Sequence, residues 1–287
     1  MNEEKTAKMN LSPDDFGLVQ SLLSQRVGIS LAAGKEYLVV NRLSPLVDSF
    51  QFDSLHGLIQ SLERNADAAL WDEVVDVLAV HETFFFRDHA PFQQLEKEII
   101  PSICAEAEKS SRPIRIWSAG SSTGQEAYSI AILFCEIAPH LAKRVQIVGS
   151  DVSSKVLKAA AQGIYRKFEV SRGVSEERLD RFFDPHEGAW RVSSRIREMV
   201  EWKKFSLAGA WPLLPPFDLV LLRNVMVYFK PETREQILNR VVPVMNPTGR
   251  LVVGSAESLM SYEHPFQPVT SMNATYHVLP NKASSLS

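Results

Sequence analysis

Ile114-Arg115-Ile116-Trp117, then Ala119-Gly120-Ser121-Ser122-Thr123-Gly124, then Glu126 to Ile137: a short apolar run, a tight loop of small residues and an apolar-periodic stretch follow one another directly. A strand that turns through glycines into a helix opens a βαβ unit, and the chain beyond it repeats the pattern. Val145 to Gly149 is a second buried strand ending at Asp151, and Ser153 to Ala161 a second helix. Phe217 to Leu222 is a strand, Pro231 to Met245 a helix, Arg250 to Gly254 a strand, and Asn273 to Leu279 one more strand. Such alternation predicts a parallel sheet covered by helices on both faces. It is interrupted between about Tyr165 and Trp202. There Trp190, Val192, Ile196, Val200 and Trp202 share one parity, and Arg191, Ser193, Arg195, Arg197 and Glu201 the other. A period of two predicts a small antiparallel hairpin inserted in the α/β domain.

Before this region the chain reads as helices. Ser12-Pro13-Asp14-Asp15 combines a capping residue, a first-turn proline and acids at the positive dipole end. Phe16, Val19, Leu22 and Leu23 follow at helical spacing. A second helix carries Tyr37, Leu38, Val40, Asn41 and Leu43, with Pro45 expected to disturb or end it. A third holds Leu55, Leu58, Ile59 and Leu62, and a fourth runs from Ala68 to about Val80. Short amphipathic helices joined by brief polar turns predict a small bundle. The tail from Asn281 is short and polar and is expected to be mobile.

The 287 residues are 45% hydrophobic and 23% charged, which excludes a disordered polymer, a collagen-like fibre and a disulfide-stapled miniature. With 31 Lys plus Arg against 34 Asp plus Glu, the net charge of -3 gives no global basic field for nucleic acid. Cys104 and Cys135 are too few for a disulfide framework or a thiolate metal cage, so reduced thiols and no metal are expected. Met1 to Phe16 has no apolar signal core, and the most apolar stretch, Ser129 to Ala138, is short and carries Glu136. The expectation is a cytoplasmic protein without membrane insertion.

In open α/β sheets the ligand lies beyond the carboxyl ends of the strands, where the strand order reverses. The Gly120 loop belongs there, its small residues letting backbone approach a ligand. Asp151, at the tip of the next strand, is placed to accept from both hydroxyls of a ribose. The loop lacks the lysine of a G-x-x-x-x-G-K-[ST] phosphate grip and the full G-x-G-x-x-G of a dinucleotide fold. A nucleoside without phosphates fits better, and S-adenosylmethionine is the common one. A bare glycine loop is also an ordinary turn, so spacing alone leaves both readings open.

Three longer segments carry a resemblance. His81-Glu82-Thr83-Phe84-Phe85-Phe86-Arg87, Trp117 through Ser129, and Arg223-Asn224-Val225-Met226-Val227-Tyr228-Phe229 resemble the signature segments of CheR proteins, which esterify glutamate side chains of chemotaxis receptors. The likeness runs from about Phe16 to Val278. It implies an all-helical domain over residues 1–90, a linker helix to about 112, and a class I S-adenosylmethionine-dependent methyltransferase domain over 113–280. That domain would have a Rossmann-like sheet and an inserted β-subdomain at about 165–202. Carried over by position, Thr83 and Arg87 would hold the methionine end of the cofactor, Arg87 through a fork that suits a carboxylate. Glu126 would reach its amino group, Asp151 the ribose, and Ser206 and Leu207 the adenine. Gly120 would pass beside it, Arg223 and Asn224 would line the cleft near the methyl donor, and Tyr228 would stand at the transferring methyl. Arg87 and Tyr228 are the implied catalytic groups; Phe84, Phe85 and Phe86 are read as core packing.

Some positions depart from the commonest family pattern. His81, a further cofactor contact that the resemblance implies, stands where asparagine is frequent, Gln125 and Ala127 replace Glu and Pro, and Ser206 replaces an asparagine. Methyl transfer to a carboxylate needs no strong base, because the nucleophile is already ionised near neutrality. The work is alignment and dehydration, and alignment can supply roughly 7–11 kcal/mol. The products would be a glutamyl methyl ester and S-adenosylhomocysteine. The implied partner is the cytoplasmic helical bundle of a methyl-accepting receptor, met by a monomer. In the family the helical domain docks through basic side chains, yet residues 1–80 hold 6 Lys plus Arg against 12 Asp plus Glu, with Lys35 and Arg42 on the second helix. Phe183-Asp184-Pro185-His186-Glu187-Gly188 is short for a loop that binds a receptor's C-terminal peptide, so no such tether is expected. A cofactor-binding adaptor without turnover and a nicotinamide oxidoreductase are the alternatives.

Overall fold

The computed structural model describes residues 9–64 and 67–280, so the tail from Asn281 lies outside the described residues. Helices α1 (Pro13–Val27), α2 (Glu36–Ser49), α3 (Leu55–Glu63) and α4 (Ala68–Leu78) come first. As expected from its sequence, Ser12 caps α1, its hydroxyl oxygen accepting from the Asp15 N–H at 3.1 Å. The four helices bury their own core, in which Phe16, Val19, Leu23, Val39, Leu43, Leu58, Ile59 and Trp71 meet.

Of the two outcomes expected at Pro45, an end to the helix does not occur: α2 runs through it to Ser49. Its missing N–H and its ring cost about 3 kcal/mol in a helix interior. Leu43, Leu46 and Val47 around it are buried in the helical core. Burial of three such side chains, at roughly 1.5–3 kcal/mol each, outweighs that penalty. Arg42, one turn earlier, points inward as well. Its guanidinium donates to the carbonyls of Val77, Leu78 and Ala79 at 3.0, 3.2 and 3.2 Å and so closes the C-terminus of α4.

Next, α5 (His89–Gln94) continues through a π turn (Leu95–Ile99) into α6 (Ile100–Glu108). The α/β part contains β1 (Ile114–Ala119), α7 (Gln125–Ile137), β2 (Val145–Asp151), α8 (Ser154–Gln162), β3 (Ile164–Tyr165), α9 (Lys167–Ser171) and α10 (Glu176–Phe182). There follow β4 (Phe183–His186), β5 (Ala189–Val192), α11 (Ser194–Arg197), β6 (Val200–Lys204), β7 (Phe217–Leu222), α12 (Pro231–Val241), β8 (Met245–Val253), β9 (Gln267–Ser271) and β10 (Ala274–Val278). The main sheet has seven strands in the order β6-β2-β1-β7-β8-β10-β9. From β6 to β8 the pairing is parallel, while β10 runs antiparallel to both β8 and β9. The sheet is therefore mixed, its antiparallel edge coming from a hairpin whose first strand the sequence reading missed. Strand β9 is mostly exposed, so it lacks the apolar alternation that marks a half-buried strand.

Two further expectations change. The period of two from Trp190 to Trp202 joins elements that the structure separates. Strands β3, β5 and β4 form the small antiparallel sheet, α11 follows it, and β6 returns to the main sheet beside β2. Buried Ile196 sits on the helical turn between them, which mimics the strand parity. The helix begun at Pro231 ends at Val241, because Pro243 cannot donate to the next turn, and β8 starts already at Met245.

The faces of β1 show how the layers are built. Ile114 and Ile116 face one core with Ile103, Ile130 and Phe134 of α6 and α7; Trp117 and Ala119 face the other with Ile237, Leu238 and Val241 of α12. Strands β2 and β6 lie on one side of β1, and β7 and β8 on the other. The strand order reverses at β1, and its carboxyl end is the switch point. The helical bundle reaches this place directly. Ile29 bridges antiparallel to Phe229, and the Ser30 N–H donates to the Tyr228 carbonyl at 2.8 Å.

Candidate functional site

Beyond the carboxyl ends of β1, β2 and β7 lies a cleft of about 1080 Å³, including its open mouth. Its lining brings together His81, Thr83, Arg87, Gly120, Glu126, Asp151, Ser206, Leu207, Arg223, Asn224 and Tyr228, every residue singled out from the sequence. Val27, Ile29 and Leu31 from the helical bundle close one wall.

Asp151 ends β2 and is buried, and each of its oxygens accepts one backbone N–H. Ser153 donates to Oδ1 at 3.0 Å and Ser122 to Oδ2 at 2.9 Å. Burial pushes its carboxyl above the ordinary value, and the Ser153 and Ser122 N–H groups and nearby His81 oppose that shift. Each oxygen keeps a free lone pair, as two hydroxyls of a diol would require. The Phe205 N–H donates to the Asp151 carbonyl at 3.1 Å, which sets apolar Phe205 and Leu207 beside the carboxylate.

A second group is charged. Glu126, in the first turn of α7, accepts from the Ser118 hydroxyl at 2.8 Å and from Arg223 at 2.9 Å. The Arg223 guanidinium donates also to the Arg87 carbonyl at 2.6 Å and to Asp88 Oδ2 at 3.0 Å, and lies 5.3 Å from the Phe92 ring. Its Nε is buried with no hydrogen-bond partner among the described residues. Thus Arg223 is a strut under the site, joining the helix that carries Glu126 to the turn that carries Arg87. Arg87 itself donates to the Glu82 carbonyl at 2.7 Å and stacks 5.5 Å from the Phe84 ring.

The backbone around the cleft is strained. Phe86, Asp88, Ser122 and Asn224 take φ values of 52°, 67°, 50° and 56°. Such values are uncommon outside glycine and gather at functional sites. Contacts nearby hold them: the Ser122 hydroxyl donates to the His81 carbonyl at 2.8 Å, and Glu257 Oε2 accepts from the Asn224 N–H at 2.7 Å. Glu257 also takes the N–H groups of Gly254 and Val227 at 2.8 and 3.3 Å. No motif in the sequence marks it; an acid just past a parallel strand's carboxyl end is the one available signal.

Three expectations are refined. The Ser206 hydroxyl donates to the Val27 carbonyl at 3.0 Å, fastening the helical bundle to the cleft wall. Phe85 alone of the three phenylalanines is fully buried; Phe84 carries Arg87 and Arg172, and Phe86 carries Arg178, 4.1 Å from its ring. Tyr228 ends a 3-10 turn (Met226–Tyr228), and burial raises its phenol above the ordinary value against the opposing charge of Arg87.

The donor set suits a nucleoside joined to an amino acid. A carboxylate with a lone pair free on each oxygen stands beside apolar side chains, and a paired carboxylate and guanidinium stand some way along the same cleft. This arrangement at the switch point of such a sheet defines a class I S-adenosylmethionine-dependent methyltransferase. The chain belongs to the CheR family: CheR methyltransferase, SAM binding domain, matches residues 81–275, and CheR methyltransferase, all-alpha domain, matches residues 14–79. A chemotaxis protein methyltransferase of Vibrio parahaemolyticus is 35% identical over 265 residues, covering 91% of this chain and 95% of that one. Chemotaxis protein methyltransferase 1 of Pseudomonas aeruginosa is 36% identical over 266 residues, covering 91% and 96%. The Escherichia coli chemotaxis protein methyltransferase is 32% identical over 268 residues, covering 92% and 91%. A TehB-like methyltransferase structure from Corynebacterium glutamicum overlays with a TM-score of 0.36 at 12% identity, over 67% of this chain and 98% of that one, and the assignment rests on the family match instead. Among the described residues no helix is long and apolar enough to cross a membrane.

Proposed function

We propose that this protein methylates glutamate side chains in the cytoplasmic helical bundle of a methyl-accepting chemotaxis receptor, forming glutamyl methyl esters. The observation that carries this is the shared cleft: the diol acceptor Asp151, the Glu126–Arg223–Arg87 cluster and Tyr228 all line one cavity. The bound cofactor supplies an activated methyl group on a positively charged sulfur. The chain's own residues do the rest. Asp151, Leu207 and Phe205 would hold the nucleoside, with Gly120 and Asn224 as backbone walls and His81 and Ser206 at the edges. Glu126, Thr83 and Arg87 would hold the amino-acid end.

The incoming carboxylate is already ionised, so no residue has to remove a proton. It must lose water, and a neutral phenol at Tyr228 can replace one lost hydrogen bond. Because burial raises its pKa, Tyr228 stays a donor throughout the neutral range. Each esterification removes one negative charge from the receptor and so relaxes repulsion within an acidic bundle.

Several finer readings go with this proposal. The protein acts in the cytoplasm as a monomer, with a helical domain to about residue 90 and a catalytic domain over 113–280. Receptor tethering through a C-terminal peptide is absent, a reading that the short turn between β4 and β5 supports. Incubation with labelled S-adenosylmethionine and receptor membranes is the test. Volatile labelled methanol released by base marks the ester. Cofactor binding without methanol would replace the enzyme by an adaptor, and neither result would reopen a nicotinamide-dependent reaction.

A further inference from the structure

Next to the cleft-lining Glu82 and Arg87, the Phe84 ring meets two guanidinium groups, Arg172 at 4.3 Å and Arg87 at 5.5 Å from its centroid. Glu82 holds both arginines, its backbone carbonyl accepting from Arg87 at 2.7 Å and its carboxylate meeting Arg172 at 3.5 Å. Arg172 comes from the inserted segment, in the turn after α9, where the packing is tight. A Cβ on the next residue, Gly173, would fall 1.9 Å from the Phe85 carbonyl oxygen. That approach locks the Arg172 turn onto the segment that lines the cleft. Stacking on an aromatic face orients a guanidinium while leaving its N–H edge open. The pair with Glu82 is long and lies on the surface, both side chains being more than half exposed (53% and 64%), so an incoming carboxylate can exchange with Glu82 at little cost.

The charge distribution points the same way. Residues 9–80 contain 4 Lys plus Arg against 10 Asp plus Glu, and Arg42 is turned inward, so the net charge of the helical bundle disfavours an acidic chain. Residues 164–197, the inserted segment before β6 returns to the main sheet, contain 8 Lys plus Arg against 6 Asp plus Glu. Attraction at the cleft mouth therefore comes from the inserted segment.

We infer that Arg172 is a specificity-determining residue: beside Arg87 and on Phe84, it takes a carboxylate of an acidic substrate segment next to the glutamate being methylated. This rests on the receptor-methylating reading above. The contact forms outside the cofactor's place, so it should affect capture of the protein substrate and leave cofactor binding alone.

The test is steady-state kinetics of the full-length chain on receptor membranes, with cofactor affinity measured by calorimetry. Arg172→Gln is expected to raise KM for the receptor about five- to tenfold, keep kcat and cofactor affinity, and flatten the rise of KM with salt. Arg172→Lys should recover part of the loss. Glu82→Gln, which frees Arg172, should lower the receptor KM. An unchanged receptor KM in Arg172→Gln overturns the inference, and so does a fall in kcat or cofactor affinity with KM unmoved. Should the unaltered protein form no ester on receptors, the proposed function itself fails, a result distinct from either.

Discussion

Arg223 and Glu126 form a buried ion pair at 2.9 Å, and the same guanidinium reaches Asp88 and the carbonyl of Arg87. One side chain thereby spans the sheet's switch point from the first helix after β1 to the aromatic segment before α5. Breaking such a pair by removing one partner typically costs 3–5 kcal/mol, since the other charge stays buried. Arg223→Met should lower unfolding stability by about that amount, measured by urea denaturation. It should also weaken cofactor binding, because both the Glu126 carboxylate and the Arg87 turn lose their support. Near-normal stability would show that Glu126 finds another partner.

Asp151 offers a sharper local probe. Asp151→Ala should weaken cofactor binding by roughly 1.5–3 kcal/mol, the range for hydrogen bonds to a charged group. That is about ten- to hundredfold in Kd by calorimetry. An unchanged Kd would remove Asp151 from the site.

For Tyr228→Phe the loss belongs in turnover. Removing one donor to a charged group should lower kcat by roughly tenfold or more while cofactor Kd stays near normal. The raised phenol pKa fixes the sign of the pH effect: the donor form persists as pH rises toward the ordinary value of 10. The kcat profile of the unaltered protein should therefore show no tyrosine limb between about pH 7 and 9. Full activity in the variant would make the hydroxyl a bystander.

Gly28 tests the join between the helical bundle and the cleft. It has φ 79°, and a Cβ there would lie 2.4 Å from the Ala208 Cβ and 3.1 Å from the Phe229 ring. Gly28→Ala should destabilise the protein by about 1–3 kcal/mol through overpacking and strain. A lower Tm is the direct readout, and cofactor Kd should rise because Ile29 and Phe229 both line the cleft.

Arg42 separates capping from docking. Its contacts with three carbonyls at the end of α4 predict that Arg42→Gln loses about 1–2 kcal/mol of stability. The receptor KM should stay unchanged. A raised KM at unchanged Tm would restore Arg42 to the docking surface.

The α/β core was legible because its strands are short, mostly apolar runs between turn signals: Phe217–Leu222 has the predicted bounds, and every candidate residue falls in the cleft. Local patterns that tertiary packing overrides were not legible. Pro45 is carried inside α2 by the burial of its neighbours, and a helical turn at Ile196 passed for strand parity. Contacts made at long sequence separation were hidden too. Nothing near Ser206 announces that its hydroxyl reaches Val27, and nothing near Glu257 announces that it holds the backbone of Asn224. A single sequence shows which residues are suited to a site but not which of them brace one another.

The pairing of Ile29 and Ser30 with Phe229 and Tyr228 makes the N-terminal helices structural kin of the reaction chamber rather than a detachable adaptor. Grafting those helices from a relative would alter the backing of the tyrosine turn at the same time as the outer surface of the bundle. A chimera with changed receptor preference would thus have to be judged on its chemistry as well as its choice of target.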